Sequence, residues 1–398
     1  MSTILTRRRA RLGTTVASIL ALTGGLLAVP SVPANAVGPT LTGADQEYYG
    51  YYRLDSLHSQ GYTGEGTIIA MIDGHVNTNV PELAGAHIEN KSPCAVSSNA
   101  EDLDHGTAVA QILVSSRFGI APKATLYTYD LAYRDEEAGA DCKMPGWNGA
   151  GAADTSLLIE QAINDGADII SISSNYPYQS QDLRWAMARA LAEGVIVVAS
   201  MGNDSTEDAG DGLPVWSGVC GVGAIYADGS LTDYSNWGNG IETAALGRSY
   251  FRSGSDGSIR DAQGTSFATP IVAGFLAIAW QRFGDDVTSN QILQAMTTTG
   301  VGGNGEWNTY TGFGAIDPWA MLNAKAGSLP DENPCESKTY ASDPSWQDVE
   351  DYIDGTVNPL LIRNDDSYVY RGTNENAAFD SQHDYPVHLG TSPRYHAS

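Results

Sequence analysis

The chain has 398 residues, and 47 acidic side chains face 21 basic ones, a formal charge of −26. That balance excludes a nucleic-acid backbone as partner, since neutralising phosphates needs a cationic face, and it fits a soluble surface. Apolar residues at 42% and 44 glycines describe a globular α/β chain, long enough for one large or two ordinary domains with a full core.

The first 36 residues carry the pattern of an export address. Arg7, Arg8, Arg9 and Arg11 form a basic region, Leu12 to Val29 is mostly apolar, and Ala34–Asn35–Ala36 is a small-x-small cleavage site. Cleavage after Ala36 is expected, giving a secreted, extracellular protein with no stable membrane anchor. Arg7–Arg8 matches a twin-arginine signal only weakly, so the general secretory route is favoured. Loss of four arginines and no acid takes the charge from −26 to −30. Cys94, Cys142, Cys220 and Cys335 are an even number in an exported chain and suggest two disulfides, with three connectivities open. No later segment is long enough to span a bilayer; Ile271–Trp280 is ten residues and reads as a buried helix. A monomer is expected.

Residues 37–60 are rich in tyrosine and predict a surface arm or short helix. Thr67–Ile72 is an apolar, β-branched run, the pattern of a strand buried on both faces, and Asp73–Gly74 ends it. Ala108–Val114 predicts a buried helix with His105 at its start. Ala124–Asp130 is a further strand, and Ala132–Gly151, charged and Gly-containing, an inserted loop. Asp154–Asp165 has helical spacing, Asp168–Ser173 is a strand, and Gln181–Glu193 is a helix closed by Gly194. Val195–Ala199 and Val219–Ala224 are strands, and Gln291–Thr298 is a late helix. Strands alternating with helices from about Thr67 to Ala326 predict a mostly parallel sheet with helices on both faces. Ligands in such sheets bind outside the carboxyl ends of the strands, where Asp73 and Asn203 fall. Residues 328–398 hold thirteen acids against four bases and no sustained period, and predict a weakly ordered acidic extension.

Gly264–Thr265–Ser266–Phe267–Ala268–Thr269–Pro270 places Ser266 at a helix N-terminus, with small neighbours around its hydroxyl. Alone it is an ordinary helix cap. Asp73, His105 and Asn203 taken singly are equally ordinary turn or cap residues. Together they supply an orienting carboxylate, an imidazole base, an oxyanion donor and a hydroxyl nucleophile. The chain order Asp, His, Ser is one of three known for that triad.

These blocks resemble the subtilisin-like serine proteases, the subtilases. Ile72–Asp73–Gly74, His105–Gly106–Thr107, Val197–Asn203 and Gly264–Pro270 resemble the aspartate, histidine, oxyanion-asparagine and serine motifs. Gly119–Ala124 resembles a family turn, Asp168–Ser173 the substrate-binding strand, and Gly312–Phe313–Gly314 the closing segment. The resemblance covers about residues 61–326 and implies a three-layer subtilisin-like fold. The division expected is signal peptide 1–36, arm 37–60, peptidase domain 61–327 and acidic extension 328–398. The resemblance further implies Ser266 as nucleophile, His105 as base then acid, Asp73 as its orienter, and Asn203 with the Ser266 N–H as oxyanion hole. Protein or peptide is the implied substrate. No cofactor is required, and structural calcium is allowed for but not placed.

Departures from the family pattern bear on specificity. Gly74 and His75 follow Asp73 directly. Ser173–Ser174–Asn175 stands where a glycine usually closes the substrate strand, and Asp204 follows Asn203. Ser173, Ser174, Asn175 and Asp204 are therefore the candidate substrate-binding residues of a polar or restricted pocket, with a basic residue before the scissile bond as the expected preference. A pro-domain of the usual size does not fit between Ala36 and Gly61. The Gly106–Thr107–Ala108–Val109–Ala110 pattern is closest to mycosin-like actinobacterial members. A narrow-specificity processing peptidase, or a catalytically silent fold used for binding, are the alternative readings.

Overall fold

The computed structural model describes residues 39–388 apart from 134–136, 143–152, 175–180, 208–211, 285–286, 304, 337–343, 346–348, 350–368 and 371–386. The expected signal peptide and Asn175 lie outside the described residues. Helices α1 (Glu47–Tyr51) and α2 (Leu54–Ser59) precede β1 (Ile68–Asp73) and β2 (His87–Asn90), followed by α3 (Ala100–Val114) and β3 (Thr125–Asp130). Next come α4 (Thr155–Asn164), β4 (Ile169–Ile172), α5 (Gln181–Ala192), β5 (Ile196–Ser200), β6 (Val219–Ile225) and β7 (Ile241–Leu246). A hairpin of β8 (Arg248–Arg252) and β9 (Ile259–Gln263) leads into α6 (Thr265–Phe283), then α7 (Ser289–Thr299), β10 (Val301–Gly302), β11 (Gly314–Ala315) and α8 (Pro318–Asn323).

Nine strands form one sheet in the order β10-β11-β7-β6-β5-β4-β1-β3-β2. Its pairings are parallel except β10 with β11. The short hydrophobic runs of β1, β4, β5 and β6 are buried along nearly their whole length, as a doubly covered sheet demands. One core lies between the sheet and α3, α6 and the N-terminal helices; the other lies under α4 and α5. Helix α6 is buried from Thr265 through Ala279, which explains why its sequence is apolar all round. Arg189 on α5 is itself buried and joins Glu160 of α4 and Glu193 by charge-assisted hydrogen bonds, tying the two helices together.

One expectation is corrected and two are narrowed. Of the surface arm or short helix expected before the core, residues 39–60 form the helical alternative: α1 and α2 pack inward, with Tyr48, Leu54 and Leu57 wholly buried, and the Leu246 N–H donates to the Tyr52 hydroxyl at 3.2 Å. Burial of aromatic rings explains the tyrosine-rich composition better than exposure does. Helix α3 begins well before Ala108, because the Asn99 side chain accepts from the N–H groups of Glu101 and Asp102 (2.8 and 3.0 Å). His105 therefore sits in the second turn, not at the helix start. Finally, the chain beyond 327 stays packed on the body through Glu336. The Cys335 carbonyl accepts from Gly218 N–H at 3.0 Å, and Asp331 accepts from Thr288 and Asn290 on the α7 side. One of the two expected disulfides is present, Cys94–Cys142. Cys220 and Cys335 are both buried.

Candidate active site

Asp73 is the last residue of β1 and is wholly buried. Its Oδ1 accepts from Gly74 N–H at 2.7 Å and from His105 Nδ1 at 2.7 Å. Glycine at two positions makes this approach possible. A Cβ on Gly74 would lie 2.2 Å from the Asp102 carbonyl oxygen, and one on Gly106 would lie 2.1 Å from the Gly74 carbonyl oxygen. Backbone meets backbone there, and the turn after β1 docks directly on α3. A carboxylate only accepts, so the shared proton belongs to Nδ1 and Nε2 is left as the basic nitrogen. Burial alone lowers the imidazole pKa. The Asp73 charge and hydrogen bond outweigh it, with Asp102 and Glu101 adding to them, and the pKa stands above its ordinary 6.5.

A third group converges on the carboxylate. Tyr133, from the inserted segment, donates its hydroxyl toward Asp73 Oδ1 at 3.4 Å. Burial, then the charges of Asp73 and Asp102, push the phenol well above its ordinary range, so it is held as a neutral donor. Nothing in the sequence pattern singled out Tyr133, because an insertion has no period to reveal which of its side chains turns inward.

Ser266 is the second residue of α6 and is 8% exposed. The next residue, Phe267, sets its ring edge-on against His105, 6.1 Å between centroids. Among the described residues Ser266 Oγ makes no hydrogen bond to His105. Contacts of this kind commonly tighten only when substrate is bound.

Asn203 follows the end of β5, and its orientation is set by Thr265. The Asn203 Oδ1 accepts from both Thr265 N–H (2.8 Å) and Thr265 Oγ (3.0 Å). The Thr265 hydroxyl in turn accepts from Gly202 N–H at 3.1 Å. With its oxygen engaged, Asn203 presents Nδ2 toward Gly264. An added Cβ on Gly264 would lie 3.1 Å from Ser266 Oγ and 3.2 Å from Asn203 Nδ2, so hydroxyl and amide flank one small space. The Thr265–Asn203 lock could have been suspected from the Gly264–Thr265–Ser266 motif, but which Thr atom bonds which loop is a tertiary fact.

The remaining candidates are placed as follows. Ser173, just past β4, is 5% exposed, and its buried hydroxyl has no hydrogen-bond partner among the described residues. Ser174 lies near enough to Tyr133 to act on its phenol. Asp204 is steadied by Asn236, whose amide donates to its Oδ2 at 3.3 Å and whose Oδ1 accepts from its N–H at 2.8 Å. His75 bonds Asp130 Oδ2 at 2.8 Å rather than joining the Asp73–His105 pair. Among the described residues no group of three or more His, Cys, Asp or Glu is gathered as a metal site. No described helix is long and apolar enough to cross a membrane.

The profile of the subtilase family, peptidase S8, matches residues 64–314. Subtilisin E of Bacillus subtilis is 27% identical over 237 residues, 57% of this chain and 58% of that protein. A thermostable alkaline protease of Halalkalibacterium halodurans is 30% identical over 259 residues, 63% of this chain and 66% of that protein. The chain thus spans less than two thirds of the length of these curated relatives. Among solved structures, MycP1 from Mycobacterium smegmatis superposes with a TM-score of 0.57 at 23% identity, over 77% of this chain and 89% of that one. The prenylagaramide maturation protease PagA gives 0.55 at 24%, over 68% and 96%. At those identities the likeness is one of fold.

Proposed function

The chain belongs to the subtilase family, and from that premise we propose that it is a secreted serine endopeptidase using Asp73, His105 and Ser266 as its triad. The observation that carries the reading is the convergence on Gly264. The Ser266 hydroxyl and the Asn203 amide both face the point where a Gly264 Cβ would stand, at 3.1 and 3.2 Å, and the Asp73-oriented imidazole of His105 packs edge-on against Phe267, the residue after Ser266. Ser266 Oγ attacks the substrate carbonyl carbon while His105 Nε2 takes its proton. The carbonyl oxygen becomes an oxyanion held by Asn203 Nδ2 and the Ser266 N–H at the amino end of α6. Asp73 stabilises the imidazolium. Collapse expels the amine with that proton and leaves an acyl-enzyme, which water cleaves by the same steps. A fluorophosphonate probe tests the reading: Ser266 in folded protein should label, and its Ser266→Ala form should not. A folded, unlabelled wild type would instead support a silent binding fold.

A narrower processing role is favoured by one observation. Tyr133 of the inserted segment stands against Asp73 and near Ser174, one of the four residues, with Ser173, Asn175 and Asp204, proposed to bind substrate. A polar or basic residue before the scissile bond suits the carboxylate of Asp204. Fastest cleavage after Phe or Leu in a peptide panel would overturn that preference, and broad digestion of casein would overturn the narrow role. N-terminal sequencing of protein from culture medium tests export: a chain beginning at Val37 is expected, and retention of residues 1–36 would refute it.

A further inference from the structure

Beyond the ends of β6 and β7 lies a cavity of about 350 Å³ lined in part by Gln263, the residue before Gly264. Gly264 N–H donates to the Gly247 carbonyl at 2.8 Å, and Tyr234 donates to the same oxygen at 3.2 Å. Gly247, Tyr234 and Gln263 all line the cavity, and Gln263 immediately precedes the Gly264 that separates Ser266 Oγ from Asn203 Nδ2. In the sheet order, β4, which ends just before Ser173, flanks β5 on one side and β6–β7 lie on the other; Asn203, whose amide faces the same point at Gly264 as Ser266 Oγ, follows β5. If the acyl half of the substrate lies along Ser173, the leaving half runs toward this cavity. The inference rests on that reading of Ser266 and Ser173.

The lining sorts by depth. Ile225, Leu246 and Thr232 are buried and form the floor, and the Tyr234 and Tyr226 rings form walls. The rim carries Glu47, Asp228 and Arg248. Arg248 is already matched, because its guanidinium grips Asp261 at 2.6 and 2.9 Å. Glu47 lies near enough to act on the Arg248 charge. Among the described residues, Asp228 receives the neutral N–H and hydroxyl of Ser230, at 2.9 and 2.6 Å, and no cation. One arginine thus stands among three carboxylates, and the rim is left net negative. The lining is more polar than apolar, and under an acidic rim it suits a side chain with a cationic head, whose alkyl stem can pack on the Tyr226 and Tyr234 rings.

We propose that this cavity is the subsite for a lysine or arginine within the two residues following the scissile bond, with Glu47 and Asp228 as its specificity-determining residues. Glu47 belongs to the N-terminal helix α1, so the segment before the sheet takes part in substrate choice.

The test uses labelled peptides identical on the acyl side, carrying Lys, Leu or Glu at the first or second position after the scissile bond. Binding is measured by anisotropy to the Ser266→Ala protein, and kcat/KM is measured on the wild type. Lys is expected to exceed Glu about tenfold in both readouts, from two partly solvated charge contacts that turn from attraction to repulsion, and the gap should narrow as salt rises. Glu47→Gln and Asp228→Asn, both surface changes, should together bring the ratio to about twofold. Equal binding, or better binding of Glu, overturns the proposal. A Lys preference in binding with no turnover by the wild type would leave the cavity standing and sink the catalytic reading. Turnover without preference would do the reverse.

Discussion

Replacing Gly264 by Ala puts one methyl group where the chemistry is proposed to occur. Gly264 has φ 166° and ψ 161°, extended backbone open to any residue, so the change introduces no backbone strain. The new Cβ would stand 3.1 Å from Ser266 Oγ and 3.2 Å from Asn203 Nδ2. A substrate carbonyl oxygen must come within about 3 Å of that amide as the oxyanion forms, and the methyl occupies the approach. Tight contacts of this kind displace neighbours by a few tenths of an ångström, which costs about 1 kcal/mol of stability. Loss of one oxyanion donor costs about 10²–10³ in kcat, roughly 3–4 kcal/mol of transition-state stabilisation. Gly264→Ala should therefore unfold within a few degrees of the wild type while kcat/KM for a peptide falls at least about a hundredfold. Active-site titration and calorimetry on one preparation separate the two effects. A variant that retains kcat/KM within about threefold would refute the placement of the oxyanion between Asn203 and Ser266.

Other outcomes follow from the same geometry. Asn203→Ala should lower kcat about 10²–10³-fold with little change in KM, and a raised KM with kcat unchanged would point to a ground-state role instead. Because Asp73 holds the His105 pKa above 6.5, kcat/KM should fall as pH drops through a midpoint above 6.5. Asp73→Asn should move that midpoint down and cut kcat by about 10⁴; an unmoved midpoint would show that another group titrates. The stability linkage has the opposite sense. A raised folded-state pKa stabilises the fold below the unfolded value and is lost as pH rises through the folded one, so Asp73→Asn should cost more stability at pH 5 than at pH 9, as denaturation midpoints would show. Cys94 and Cys142 are 48 residues apart, and opening that loop should cost about 4 kcal/mol by chain entropy. A melting temperature indifferent to reductant would contradict it.

Much of this architecture could be read in advance because its signals are local. The uninterrupted apolar runs of β1, β4, β5 and β6 announce buried parallel strands, and Asp73, Asn203 and Ser266 fall at element ends where ligands bind. What escaped was set by long-range contacts. Strand β2 is short and mostly exposed, and its pairing with β3 supplies the order that its own pattern lacks. The tyrosines of residues 48–52 suggest a surface until Tyr48 and Tyr52 are seen inside the core. The start of α3 depended on recognising Asn99 as a cap ahead of an acidic first turn, not on apolar periodicity. Tyr133, the Thr265–Asn203 lock and the Gly247–Gly264 hydrogen bond join segments far apart in sequence, and no spacing rule connects them.

The central claim is that Ser266, with His105 and Asp73 behind it, cleaves peptide bonds. Its most direct measurement compares peptides released from a proteome-derived library by the wild type and by Ser266→Ala, both shown to be folded. The account predicts new termini from the wild type alone, with fluorophosphonate labelling confined to Ser266. Identical profiles from the two proteins, or labelling that survives the substitution, would contradict it.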